Sequence, residues 1–225
     1  MKVGIIVAMA SEAKVLKNQT SRLLDEIPFA VNIAGPGIEH AKKATEQLLS
    51  DGCDFFISWG VSGGLNTSLE SGTLVISREV ASPSEQTVQF TDDLGEKISN
   101  QLMTLNPHLG RIVSTKKPVI SLTEKSKLRA VSQADAVDME SIAIAKIAKK
   151  NNCGFLSIRS IVDSANFEIP SSALAGMDSV GYLVILKVIR RLACRPKELK
   201  DLIRLSFHFL KALKTLRSVA NLLIK

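Results

Sequence analysis

The chain is poor in aromatic residues, cysteines and long apolar runs, and each shortage removes a class of function. Aromatic side chains make up 4% of 225 residues, with one Trp and one Tyr. A platform for single-stranded nucleic acid needs aromatic faces on which bases stack, so no nucleic-acid partner is expected. Three cysteines, Cys53, Cys153 and Cys194, stand far apart and form no pair of metal-ligand spacing. They imply neither a disulfide framework nor a zinc site, and they point to a reducing, cytoplasmic setting. His40, His108 and His208 are as dispersed, so no metal is expected. No run of about 18 apolar residues occurs, and no transmembrane helix is expected. The apolar opening, residues 1–9, resembles a signal peptide only in part. It runs directly into Glu12 and Lys14, as a buried first strand does.

What is present is apolar residues enough for a sizeable core, at 45% of the chain, and a charge of uneven placement. The net charge is +7. From Lys187 to Lys225 eleven basic residues face two acidic ones, Glu198 and Asp201, so the first 186 residues are slightly acidic. This divides the chain into a domain over 1–186 and a basic extension over 187–225. Within the domain, apolar runs at 2–9, 28–34, 53–59, 73–77 and 155–162 read as strands, with shorter ones near 112–113 and 119–120. Helical spacing is found at 11–18, 39–50, 92–104, 124–131 and 139–149, and the chain beyond Ser172 reads as helical to its end. Alternating helices and near-continuous apolar strands predict a mostly parallel sheet covered on both faces.

Open sheets of this kind bind ligands beyond the carboxyl ends of their strands. Asp163 closes the strand Arg159-Ser160-Ile161-Val162-Asp163. It can serve as a general acid if burial raises its pKa, or as a plain turn former. Val137-Asp138-Met139-Glu140 sets two carboxylates around a methionine where an apolar stretch becomes a helix. Glu140 can accept both hydroxyls of a ribose while Met139 packs on the sugar, or the segment is simply a helix start. Gly60-Val61-Ser62-Gly63-Gly64 reads as a glycine turn, able to bring backbone close to a ligand at Ser62 and Gly63. It lacks dinucleotide-binding spacing. Glu12, three residues beyond Met9, can orient a water or stand exposed on a helix.

Taken in order, these clusters resemble the nucleoside phosphorylase and nucleosidase superfamily. Gly4-Ile5-Ile6-Val7-Ala8-Met9-x-x-Glu12 is similar to the opening of methylthioadenosine/adenosylhomocysteine nucleosidases, and Gly60-x-x-Gly63-Gly64-Leu65 to their glycine turn. Val137-Asp138-Met139-Glu140 resembles the family's ribose-binding segment, and Arg159-x-x-x-Asp163 its acid-bearing strand. The resemblance implies a three-layer α/β, phosphorylase-like fold with a central mixed, mostly parallel sheet and a C-terminal helical extension. It also implies cleavage of an adenine nucleoside without metal or organic cofactor, and a homo-oligomer. In it Asp163 is the acid, Glu140 the ribose ligand, Met139 the sugar-packing residue and Glu12 the residue that activates water. Val119 and Ile120 fall at the base-contacting segment.

A narrower resemblance is to the hopanoid-biosynthesis-associated phosphorylases. It rests on Pro118-Val119-Ile120-x-x-x-Glu124-Lys125, on Ala134 to Ser141, on Asp163-x-Ala165-x-x-x-Ile169-Pro170, and on Arg195-Pro196 with the helix after it. The short segment between Asn18 and Pro28 also suits that branch. This branch implies a lipid-linked substrate, adenosylhopane. The nucleophile stays open between water and inorganic phosphate as co-substrate. No arginine precedes Gly60, which leaves Arg159, Gly35 and Gly37 as the candidate phosphate contacts.

The extension carries Leu199, Leu202, Ile203, Leu210, Leu213, Leu216, Val219 and Leu223 at helical spacing, with Lys200, Arg204, Lys211, Lys214 and Arg217 mostly off that stripe. Three readings follow: a basic amphipathic helix on an anionic inner membrane surface, a helix packed on the domain with its charges solvated, or a nucleic-acid contact, which has no accompanying motif or aromatic residues.

Overall fold

A computed structural model of the chain describes residues 1–16, 22–24, 26–83, 85–175 and 195–224. The boundary expected near residue 187, Cys194, and most of the segment between Asn18 and Pro28 lie outside or partly outside the described residues.

Among the described residues eleven strands form one mixed sheet. They are β1 (Val3–Val7), β2 (Arg22–Leu23), β3 (Ile27–Ile33), β4 (Phe55–Gly64), β5 (Leu74–Ser77), β6 (Glu79–Ser82), β7 (Glu85–Gln89), β8 (His108–Leu109), β9 (Ile112–Ser114), β10 (Ala136–Asp138) and β11 (Gly154–Ile161). The main path runs β2-β3-β1-β4-β10-β9-β6-β7, while β11 pairs with β4 and β5, and β5 with β8. The pairs β1–β3, β1–β4, β4–β11, β5–β8, β6–β9 and β9–β10 are parallel; β2–β3, β4–β10, β5–β11 and β6–β7 are antiparallel. The helices are α1 (Ala10–Ala13), α2 (Ile38–Ser50), α3 (Asp93–Leu102), α4 (Leu122–Ser132), α5 (Ser141–Lys150), α6 (Ser171–Ala175) and α7 (Leu199–Leu223).

Strand alternation creates the layers. Val3, Ile5 and Val7 of β1, with Phe55, Ile57 and Trp59 of β4, face a core closed by α3 and by Leu216, Val219, Ala220 and Leu223 of α7. Ile6 and Phe56 point to the opposite face, where Ala41, Ala44 and Leu48 of α2 and Ile142, Ile144 and Ala145 of α5 cover them. A strand buried on both sides has no polar face, which is why these segments read as unbroken apolar runs.

Three expectations are corrected. The glycine turn at 60–64 is strand: β4 continues to Gly64, where Gly63 and Gly64 pair with Val137 and Ala136 of β10. Glycine is needed there for clearance rather than to turn the chain. Val119 and Ile120 are not in a strand; they lead into the Ser121 cap of α4. The helix expected from Met139 begins at Ser141, with Glu140 as its N-cap residue. The β6–β7 hairpin was not anticipated, because its strands are short and half exposed.

The amphipathic stripe of the extension divides in two. Leu216, Val219 and Leu223 are core residues, whereas Leu199, Ile203 and Leu210 are exposed, together with Phe207. The C-terminal half is bound to the domain: Thr215 Oγ1 donates to the Gly72 carbonyl (2.8 Å), and the Leu24 amide donates to the Leu223 carbonyl (2.7 Å). Among the described residues no helix is long and apolar enough to cross a membrane.

Candidate active site

The strand ends of β1, β10 and β11 bring four buried carboxylates, Glu12, Asp138, Glu140 and Asp163, into one region around the β4 extension. Glu12 comes first, on the short helix that follows β1. Its Oε2 accepts the amides of Ala8 (3.1 Å) and Met9 (2.8 Å), and its Oε1 accepts the Val61 amide (2.9 Å). Burial pushes the carboxyl up to about 7, against the pull of those amides and of Arg159. A carboxyl poised near neutrality can take a proton from water.

Arg159, in β11, is fully buried, and its Nη2 is surrounded by acceptors. That nitrogen lies 2.8 Å from Asp138 Oδ2, 3.6 Å from Glu140 Oε2 and 2.6 Å from Ser58 Oγ. Asp138 is itself held by Ser114 Oγ at 2.5 Å and by the Ser141 hydroxyl. Such a network makes an enclosed charge tolerable, because each group meets a partner of opposite sign or a donor. Glu140 then sits between Arg159 and the Gly37 amide, which donates to Oε1 at 2.8 Å. Its carboxyl is raised by burial and by Asp138, with Arg159 opposing.

Asp163 follows the end of β11. Its Oδ2 accepts Lys125 Nζ at 2.6 Å. Burial raises the carboxyl to about 6, Lys125 pulling the other way. The β4 extension runs beside it: the Gly64 amide donates to the Asp163 carbonyl (2.7 Å), and a Cβ on Gly63 would come within 3.1 Å of Oδ2. Three buried carboxyls, all raised by burial, are groups of the kind that can serve as acid, base and acceptor of hydroxyl donors.

The sequence profile of the Phosphorylase superfamily matches residues 2–180. The chain belongs to that superfamily. A 5'-methylthioadenosine/S-adenosylhomocysteine nucleosidase of Staphylococcus aureus (strain MRSA252) is 28% identical over 204 residues, covering 76% of this chain and 90% of the relative. In fold, the chain is similar to the futalosine hydrolase of Helicobacter pylori strain 26695, with a TM-score of 0.69 at 17% identity, covering 98% of this chain and 97% of that one. It is also similar to the 5'-methylthioadenosine/S-adenosylhomocysteine nucleosidase of Neisseria meningitidis solved with methylthio-immucillin-A. There the TM-score is 0.71 at 20% identity, covering 98% and 97%.

The remaining expected site residues of this superfamily member fall as follows. Met139 is half-buried beside Glu140, and the Met139 amide faces Glu140 Oε2 at 3.3 Å. The Ser62 hydroxyl is buried and has no hydrogen-bond partner among the described residues. Ile120 is tied to the loop after Asp163, its carbonyl accepting the Ile169 amide at 3.2 Å, while Val119 packs on the cluster of Leu65, Val113 and Val137. Gly35 and Gly37 both take positive φ, 87° and 101°, in the loop before α2. Of the candidate phosphate contacts, the Gly37 amide is engaged by Glu140 and Arg159 by Asp138 and Glu140.

Sequence reasoning missed Lys125 as a site residue. Glu124-Lys125 stands out only through a resemblance, and a lysine in a helix ordinarily reads as solvated. Sequence reasoning also missed Asp138 as the partner of Arg159, since the two are joined by topology across β10, β4 and β11. Asp138 had offered one signal: it stands two residues from Glu140 in the same cluster of carboxylates.

Proposed function

We propose that this chain cleaves the bond between adenine and ribose in an adenine nucleoside, with water as the nucleophile. Asp163 protonates purine N7, and the electron pair of the C1'–N9 bond moves into the departing base. Glu140 accepts hydrogen bonds from the ribose hydroxyls and faces the cationic sugar. Glu12 takes a proton from the water that adds to C1', giving adenine and a free ribose derivative. These roles use side chains alone and call on no resident cofactor or metal.

The observation that carries the reading is the pair of buried, displaced carboxyls, Glu12 at about 7 and Asp163 at about 6, both held against the β4 extension, Glu12 at Val61 and Asp163 at Gly63 and Gly64. Water is favoured over phosphate because both buried cations of the site already have anionic partners, Arg159 in Asp138 and Glu140, Lys125 in Asp163. A phosphate would enter among carboxylates without a free counter-charge.

The substituent on the ribose 5' carbon is a hopane lipid in this reading. The exposed half of α7 supports it: Leu199, Ile203, Phe207 and Leu210 are 47%, 49%, 67% and 61% exposed. The exposed Lys200, Arg204, Lys211 and Lys214 flank them. An apolar strip with basic neighbours suits the surface of an anionic bilayer, where such a substrate resides.

The test is adenine release from methylthioadenosine and from adenosylhopane, each with and without phosphate. Release without phosphate is expected, with adenosylhopane the better substrate. A strict phosphate requirement replaces water by phosphate, preference for methylthioadenosine removes the lipid assignment, and no release from either overturns the reading.

A further inference from the structure

We infer that Lys125 positions Asp163 and receives the carboxylate that remains when Asp163 gives up its proton. This rests on the reading of Asp163 as the acid. Helix α4 buries one residue along its 11-residue length, and that residue is Lys125, at 1% exposure. Lysine is among the residues least often found wholly inside a protein. An ammonium has three N–H donors, and here three acceptors meet it: Asp163 Oδ2 at 2.6 Å, the Ser164 carbonyl at 2.8 Å and the Phe167 carbonyl at 2.8 Å. All three belong to one five-residue stretch, the stretch that begins with the acid.

The helix that presents Lys125 is itself held at its start. Ser121 Oγ accepts the Glu124 amide (3.3 Å), while Glu124 Oε2 accepts the Ser121 amide (3.0 Å), a reciprocal cap that sets the first turn. Lys125 lies in that turn. Charged groups around Asp163 are few. Lys125 comes from α4; β4 presents the backbone of Gly63; Arg204 and His208 of α7 end on the ring of Phe167, at 5.4 and 5.2 Å. Lys125 is thus the one cation that meets the Asp163 carboxyl among the described ion pairs.

The arrangement assigns the two oxygens of Asp163. Oδ2 is held by Lys125, so Oδ1 carries the proton to the purine. In that step the Oδ1–H bond breaks and an N7–H bond forms, while the C1'–N9 pair goes to the base. The negative charge left on Asp163 appears 2.6 Å from an ammonium already in place, with no rearrangement required. Solvent returns the proton after adenine leaves. A lysine that only fastened a loop would affect folding and leave the pH response alone.

The experiment measures adenine release from methylthioadenosine by the full chain across pH. Its first arm compares wild type with Asp163→Asn; equal rates there dispose of the acid assignment itself, and with it the proposed function. Given a loss in that arm, Lys125→Met is expected to lower the maximal rate about 10- to 100-fold. It also moves the optimum upward by about 0.5–1 pH unit, because the lost cation no longer holds the acid's pKa down. Lys125→Arg keeps the charge and keeps the optimum where it was. In the Asp163→Asn background, Lys125→Met costs less than about twofold more, since no carboxylate remains to be held. An unmoved optimum in Lys125→Met, or an equal loss in both backgrounds, overturns the inference. If the methionine variant folds poorly, Lys125→Gln is read by the same criteria.

Discussion

Gly60 separates the Glu12 carboxylate from the Arg159 guanidinium by no more than the space of a missing side chain. A Cβ built on it would lie 2.5 Å from Glu12 Oε1 and 2.8 Å from Arg159 Nη1, and its φ of +156° is one that other residues rarely adopt. Gly60→Ala is therefore expected to lose about 1–3 kcal/mol of stability, measured by urea unfolding, together with most of the catalytic rate. Gly37→Ala makes the contrast. No atom lies within 4 Å of its added Cβ, and only the strain of φ +101° remains, about 1–2 kcal/mol. Equal stability of wild type and Gly60→Ala would show that Glu12 and Arg159 can part without loss.

The order of the two catalytic pKa values makes a prediction about rate against pH. The proposed base, Glu12, sits at about 7 and the proposed acid, Asp163, at about 6, so in that reading the acid loses its proton before the base does. The working form, with Asp163 protonated and Glu12 ionised, is then the minor one of the two singly protonated forms. The profile of adenine release should be a narrow bell centred near about pH 6.5. A flat profile from pH 5 to 8 would remove one of the two groups from the reaction.

Glu12 also leaves a trace in stability. Its folded pKa of about 7 lies above the ordinary 4.5, so the folded state binds the proton more tightly than the unfolded chain. Its contribution is most favourable below pH 4.5 and is lost as pH rises to about 7. The whole change is about 3 kcal/mol. Glu12→Gln removes this dependence: the stability of wild type relative to the variant should decline by roughly that amount between pH 4.5 and 8. Parallel curves would contradict the burial argument.

For α7 the two halves predict opposite behaviour. Removing residues 199–225 takes Leu216, Val219, Ala220 and Leu223 out of the core, and the protein should lose its cooperative melt. Ile203→Asp with Phe207→Asp changes only the exposed strip. That variant should melt within a few degrees of wild type and yet lose co-sedimentation with phosphatidylglycerol vesicles. Binding of wild type should also weaken with salt, as the basic flank is screened. Absence of wild-type binding would make the strip an ordinary solvent face.

The layers of the fold were legible because they rest on local pattern. Val3 to Val7 and Phe55 to Trp59 are apolar on both faces, and Ile38–Ser50 repeats at helical spacing. Glu12, Glu140 and Asp163 could be picked out because each follows a strand, where loops collect ligands. The hidden parts depend on distance in space. Nothing near Lys125 in the chain announces that it meets Asp163, 38 residues on. The β4 extension looked like a turn because adjacent glycines serve turns and close approaches equally well. The stripe of α7 looked continuous because spacing alone does not tell which turns of a helix the domain reaches.

Phe167 joins the tail to the acid. Its ring touches Arg204 and His208 of α7, while its carbonyl holds Lys125. The C-terminal helix is therefore no detachable module. A graft that replaced it with another protein's helix would have to recreate the surface beneath that one ring, or the catalytic loop would lose its outer wall.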